Sequence, residues 1–259
     1  DEYRVVLPLP LKRPLGSFTQ IGNADFTQQS GPYGNIKSGD VETLLSAIPS
    51  VNLLFHLHLR ENLNIDSSSI NLTLHPRVNY TLSLNQKIET IYSGFNRLLR
   101  RKIKKGAEWK LRPATMEEVV SLNRQSSGLK AAHKPIHYRR ITRLAEEAIA
   151  HDKAKCYSLV TKSGQLLNAG FFPINRGRII NLFAGSSKLG LQYGSMGCLL
   201  YAIIQEHHKD NDLFDFEGSE IPGVATFFKS FGPDRNVYLS AHGPIGNLKR
   251  TLRKKYFLA

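Results

Sequence analysis

The sequence predicts an α+β fold built around a mixed sheet, and three observations carry that reading. In the second half of the chain, strand-like runs are joined by the short connections Ser163-Gly164 and Asn175-Arg176-Gly177. Brief glycine-containing links of this kind mark antiparallel hairpins. Two stretches of helical periodicity precede those runs. After them the pattern changes to alternating helix and strand, the mark of a sheet covered by helices.

The first half is less regular. Strands are expected at 3–9, 53–59, 70–74 and 79–84, with a helix at 41–47. In the last strand Tyr80, Leu82 and Leu84 fall on one face, and Thr81 and Ser83 on the other. Proline-rich 7–14 and Gly/Gln-rich 22–34 read as loops. One helix is then expected over 86–105, with Ile91, Phe95, Leu98, Leu99 and Lys102 along one side. Its basic residues Arg97, Arg100, Arg101, Lys104 and Lys105 do not share a face, so part of this charge is solvated surface. Gly106 is a natural terminator, and the boundary between a unit 1–105 and a unit 106–259 is expected there.

The second half is clearer. Thr115, three residues before Glu118, opens a helix through a capping box. A second helix over 137–151 spaces Tyr138, Ile141, Leu144, Ala145, Ala148 and Ile149 on the helical period. Strands at 156–160, 166–174 and 178–184 lead into a loop carrying Gly185, Gly190 and Gly194. An apolar helix over 196–208, a strand at 213–216, a helix near 222–231 and a strand at 237–240 complete the order before a basic tail.

Composition narrows the partners more than the chemistry. With 35 Lys+Arg against 21 Asp+Glu, the formal charge of +14 favours anionic partners: nucleic acid, nucleotide cofactors, an anionic small molecule or an anionic membrane face. The two cysteines, Cys156 and Cys198, lie in apolar runs and read as core thiols in a reducing compartment, so a cytoplasmic location is expected. No run approaches the roughly 20 apolar residues of a membrane span. The start at Asp1, directly in a strand-like run, is expected of a chain trimmed at its N-terminus. Oligomeric state leaves no mark in the sequence.

The order helix, helix, three antiparallel strands, glycine loop, helix, strand, helix, strand matches the GNAT superfold. Three segments resemble the Fem-type branch of that superfold. One runs Phe214-Asp215-Phe216-Glu217-Gly218-Ser219-Glu220-Ile221-Pro222-Gly223 and on through Phe227-Phe228-Lys229-Ser230-Phe231-Gly232. It is similar to a Fem-type strand–turn–helix with an Asp-Phe-x-Gly turn and a Lys-x-Phe-Gly ending. The basic helix closing at Gly106 is the second segment. The third, Leu7-Pro8-Leu9-Pro10-Leu11-Lys12 with Phe26-Thr27-Gln28-Gln29, looks like uncharacterised bacterial, Bacteroidetes-like relatives. The resemblance implies two GNAT-like units, the first degenerate. It also implies an acyl- or aminoacyl-transferase: Fem-type enzymes move an amino acid from aminoacyl-tRNA to a cell-wall precursor, whereas ordinary GNAT enzymes use acetyl-CoA. No resident cofactor is required, since the donor is itself a substrate. Gln192-Tyr193-Gly194-Ser195-Met196-Gly197 lacks the Gly-x-Gly spacing of the acetyl-CoA loop, which favours the Fem-like donor.

Each candidate residue has a functional and a plain reading. Gly190, Gln192, Gly194, Ser195 and Gly197 precede or open a helix whose free N–H groups suit an anion, or else the glycines serve close packing. Asp215 and Glu217, placed on one strand face, supply a general base for acyl transfer, or Asp215 caps a turn. Ser219 reads as a helix cap and a substrate contact. Backbone amides near the opened sheet are expected to assist the carbonyl oxygen. Lys229 meets an anionic substrate or is solvated, while Phe227, Phe228 and Phe231 read as core. Arg100, Arg101 and Lys104 are the candidate contacts to a nucleotide-linked substrate or tRNA. His56 and His58 share a strand face with His75 distant, and no metal site is expected. His207 and His208 read as helix-end charges.

Overall fold

The computed structural model describes residues 3–15, 18–48, 53–218 and 220–243. Ser219 and the basic tail at 244–259 lie outside the described residues. The chain forms two compact units: Asp1–Val78 together with Asn236–Ala259, and Asn79–Arg235. Gly106, the expected boundary, sits inside the second of these, closing a helix.

In the first unit the elements are β1 (Val5–Val6), β2 (Leu11–Leu15), β3 (Phe18–Gly22), β4 (Tyr33–Gly34), α1 (Asp40–Ser46), β5 (Leu53–His58) and the start of β6 (Thr73–Ser83). Two strands were expected where β6 runs unbroken: Pro76 withholds one N–H from the ladder without ending the strand. Part of the proline-rich stretch expected as loop is β2, which pairs antiparallel with β3. The core is one apolar cluster, Ile21, Val41, Leu45, Phe55, Leu57, Leu59, Ile70 and Ala241.

The second unit opens with α2 (Ile88–Gly94) and α3 (Arg97–Lys105), where the sequence predicts a single helix. Phe95 turns extended at ψ 145°, and the Asn96 side chain accepts a hydrogen bond from Leu99 N–H, starting a new helix. The predicted stripe breaks with it: Ile91, Phe95 and Leu99 are buried, but Leu98 is 51% exposed. Then follow β7 (Lys110–Pro113), α4 (Met116–Gln125), α5 (Ser127–Lys130), α6 (Pro135–Ala150), β8 (Ala154–Val160), β9 (Leu166–Asn175), β10 (Arg178–Ile180) and β11 (Phe183–Ser186). The capping box forms in full, Thr115 and Glu118 each accepting from the other's backbone N–H. Next come α7 (Lys188–Tyr193), inside the expected glycine loop, then α8 (Met196–His207), β12 (Leu213–Asp215) and α9 (Pro222–Lys229). β13 (Asp234–His242) carries the chain back to the first unit.

In the second unit β7, β8, β9 and β10 are successive antiparallel neighbours, with β11 continuing along β9. β12 lies parallel to β10 and antiparallel to the 81–83 part of β6. The parallel pair then parts. Asn181 N–H donates to Asp215 C=O at 2.9 Å, whereas the next N–H on that side of the other strand, that of Glu217, turns to Asp215 Oδ1 at 2.9 Å. From Phe183 onward the first strand is paired with β9. The strand expected as one piece over 178–184 is thus interrupted at 181–182, where the sheet splays open. α8 packs its apolar side inward, with Leu199, Leu200, Ile203 and Ile204 at 0% exposure. Among the described residues no helix is long and apolar enough to cross a membrane.

Candidate active site

The site grows from the end of β12. Phe214 and Phe216 are fully buried, and their burial carries Asp215 into the interior with only 4% of its side chain exposed. A buried carboxylate needs a partner, and Arg178 supplies one from the start of β10. Its Nε and Nη2 lie 2.9 and 2.7 Å from Asp215 Oδ2. The other oxygen, Oδ1, accepts Glu217 N–H at 2.9 Å. Asn79 Oδ1 accepts Gly218 N–H at 2.8 Å and Tyr80 N–H at 2.9 Å, tying down the far side of the turn.

Glu217 is held in a left-handed conformation, φ 51°, that a side chain ordinarily avoids. Strain of this kind, about 1–3 kcal/mol, persists only where surrounding bonds over-determine it. The consequence is that Glu217 does not share a strand face with Asp215 as expected, because β12 ends at Asp215 and the turn re-aims the next carboxyl. That carboxyl is largely enclosed by protein. Burial chiefly, and the charge of Asp215 secondarily, push it up to about 8, with Arg178 pulling weakly the other way. A carboxyl of this affinity exchanges protons near neutral pH, the property a general base or acid requires.

The glycines of the loop meet close packing or a left-handed backbone. A Cβ at Gly190 would collide with Leu167 C=O, and one at Gly185 with the backbone of Leu122 and Asn123 on α4. Gly194 adopts φ 61° as the cap of α7, and its Cα is covered by the ammonium end of Lys102. Gly197 allows Leu99 of α3 to lie against α8. The Ser195 side chain is fully buried, donating to Asn168 Oδ1 and to Gly190 C=O, so its hydroxyl is committed inside the protein. Gln192 is exposed on α7. The glycine loop and the basic helix, read separately in the sequence, therefore meet: α3 rests on the α7–α8 junction, through Leu99 and Lys102.

Of the expected anion contacts, Arg101 and Lys104 are exposed on α3, and Arg100 donates to Ser93 C=O at 3.3 Å. Lys229 is exposed at the end of α9, while Phe228 and Phe231 are buried as read. Ile221 is the N-cap of α9. His207 is not a helix-end charge: it is buried, and its Nε2 lies 2.8 Å from the Tyr157 hydroxyl. Burial raises the thiols of Cys156 and Cys198 to about 11, which leaves neither ionised at neutral pH.

In the first unit, His56 and His58 do lie side by side, with ring centroids 4.9 Å apart. Pairing across β5 and β13 adds His242, stacked on His56 at 4.3 Å, and His75 stands 4.9 Å from His242. Ser240 Oγ sits between the rings, 3.1 Å from His56 Nε2 and 2.7 Å from His242 Nε2. Among the described residues no group of three His, Cys, Asp or Glu is arranged to hold a metal ion.

Sequence reasoning missed Arg178 and Asn79. Neither belongs to a local motif; each matters only through a partner, 37 and 139 residues away respectively.

No protein-family model and no curated protein sequence matches the chain. Solved structures do. The crystal structure of FemX superposes with a TM-score of 0.68 over 92% of this chain and 85% of that one, at 11% identity. The chain has a GNAT-like fold of the FemX kind. The C-terminal domain of an Agrobacterium fabrum protein, provisionally designated a lysylphosphatidylglycerol synthetase, aligns at TM-score 0.55 and 12% identity, covering 94% of this chain and 84% of that one. L-PGS from Bacillus licheniformis aligns at TM-score 0.53 and 14% identity, covering 90% and 80%. At these identities the likeness is one of fold.

Proposed function

We propose that the chain is an acyltransferase that moves an aminoacyl or acyl group to an amine, with Glu217 as the proton acceptor. The observation that carries this reading is the Glu217 carboxyl, raised to about 8 and placed by a strained turn where β10 and β12 part. In the step, the acceptor nitrogen attacks the donor carbonyl carbon and forms the new C–N bond. Its proton passes to Glu217, the bond to the donor oxygen or sulfur breaks, and the leaving group takes up a proton. Asp215 and Arg178 are positioning residues: they hold the turn and set the affinity of Glu217 for its proton.

Aminoacyl-tRNA is the donor that the reading favours over acetyl-CoA. It is supported by the fold shared with FemX and with a protein provisionally designated a lysylphosphatidylglycerol synthetase, and by the missing Gly-x-Gly spacing at Gln192–Gly197. The +14 charge and the exposed Arg101 and Lys104 suit a polyanionic donor or a nucleotide-linked acceptor. The test supplies labelled aminoacyl-tRNA or labelled acetyl-CoA with a panel of amine acceptors. Label moving from tRNA, and lost in Glu217→Gln, is the expected result. Transfer from acetyl-CoA alone would move the donor assignment. No transfer from either donor, with binding of one intact, would make the chain a non-catalytic binding module.

A further inference from the structure

The turn that carries Glu217 is held from two sides. β12 and β6 pair antiparallel with Asp215 opposite Thr81, and Phe216 N–H adds one more bond, to Tyr80 C=O at 3.0 Å. Continued in the same register, the ladder would set Glu217 opposite Asn79 in extended backbone. Strand alternation would then return its carboxyl to the face of Asp215. The ladder stops instead. Glu217 N–H turns back to Asp215 Oδ1 at 2.9 Å. The following amide, Gly218 N–H, goes at 2.8 Å to the side-chain oxygen of Asn79 rather than to a β6 carbonyl.

Asn79 is built for this bond. It is fully buried, so water does not compete for its oxygen. Oδ1 uses its second lone pair to accept Tyr80 N–H at 2.9 Å, which fixes the side chain against its own strand. The residue is also neutral. The charges acting on the Glu217 carboxyl are Asp215, from β12, and Arg178, from β10. Beside the turn β6 presents Asn79 and Tyr80, Glu220 is exposed, and Lys229, the one charged residue of α9, is exposed at its far end. An uncharged acceptor therefore shapes the turn and leaves its electrostatics to Asp215 and Arg178.

Two consecutive amides gripped by two side chains over-determine residue 217, which accounts for a φ of 51° at a glutamate. We infer that Asn79 is a positioning residue for Glu217: by taking Gly218 N–H it ends the β6–β12 ladder and holds the Glu217 carboxyl in its enclosed, left-handed pose. The bearing of this pose on rate rests on Glu217 being the proton acceptor of acyl transfer; the pose itself does not.

The test reads the carboxyl directly. In the whole chain labelled with carbon-13 at the glutamate carboxyls, the Glu217 signal is identified by its loss in Glu217→Gln and titrated by NMR without substrate. The parent midpoint is expected at about 8. Asn79→Ala frees the turn and lets water reach the carboxyl, so the midpoint should fall by about one pH unit or more. Asn79→Asp keeps an accepting oxygen and should leave the midpoint at or above that of the parent. A second comparison needs no change at position 79. With residue 217 held at positive φ, Glu217→Gly should melt roughly 3 °C above Glu217→Ala, and in the Asn79→Ala background this difference should vanish. Circular dichroism verifies folding, and Asn79→Ser, too short to reach Gly218, replaces Asn79→Ala if that variant does not fold. An unchanged midpoint in Asn79→Ala, an equal fall in Asn79→Asp, or equal melting of the glycine and alanine variants of Glu217 would overturn the assignment. The expected shifts without acyl transfer from any donor would uphold Asn79 and sink the proposed reaction.

Discussion

Arg178 and Asp215 meet diagonally across a parallel strand pair, two guanidinium nitrogens on one carboxylate oxygen at 2.7 and 2.9 Å. The other oxygen of Asp215 is left to hold the backbone of Glu217. One ion pair thus anchors the turn that aims the neighbouring carboxyl, and it also sets that carboxyl's proton affinity. Asp215 raises it and Arg178 lowers it, while burial supplies the largest effect.

Substituting either partner should therefore move the pH–rate profile of acyl transfer in opposite directions. As a base, Glu217 must be ionised, so the rate should rise with pH and level off above about 8. Asp215→Asn removes the charge that raises the Glu217 carboxyl and should shift the rise toward lower pH. Arg178→Gln should shift it higher. A profile that keeps its midpoint in both variants would mean that Glu217 is not the titrating group.

Stability should carry the same signature. Glu217 holds its proton to about 8 in the folded chain, against an ordinary 4.5. Between those values the native state binds more protons than the unfolded state, so stability falls as pH rises. Glu217→Gln keeps the neutral form at every pH. It should equal the parent below about pH 4.5 and exceed it by up to about 5 kcal/mol above pH 8 in urea unfolding.

His58 should do the reverse in the first unit. Burial, with His56 and Arg77 nearby, depresses it to about 4. Its Nδ1–H donates to Gln28 C=O at 2.9 Å, and Nε2 is buried without a hydrogen-bond partner among the described residues. The unfolded state then binds the extra proton, so stability is lost as pH falls from about 6.5 toward 4. His58→Phe should remove about 3 kcal/mol of that acid sensitivity, measured by thermal unfolding from pH 7 to 4. Equal pH slopes in parent and variant would exclude His58 as the source.

Gly185 and Gly190 are expected to tolerate no side chain. In each case the obstacle is backbone, which has no rotamer to yield. Alanine at either position should cost about 1–3 kcal/mol by denaturant midpoint. Gly164, whose Cβ would meet open space at φ 83°, should cost about 1 kcal/mol from backbone strain alone.

The elements that read correctly are those whose cause is local. The Thr115–Glu118 box needs only four residues. The hairpin at Ser163-Gly164 needs only a residue free to take positive φ and the flanking alternation, and the buried α8 follows from its run of apolar side chains. The single helix expected over 86–105 failed because Phe95 finds its place by packing on Tyr201 and Phe231, more than a hundred residues away. Asp215 and Glu217 were legible as carboxylates of interest, but not what separates them. That difference comes from Arg178 on another strand, Asn79 on a third, and a backbone angle that no local pattern encodes. Local hydrogen bonds and periodicity settle which segments become helix or strand. The proton affinity of a carboxyl depends on burial and on charges brought close by the fold, and only the tertiary structure decides those.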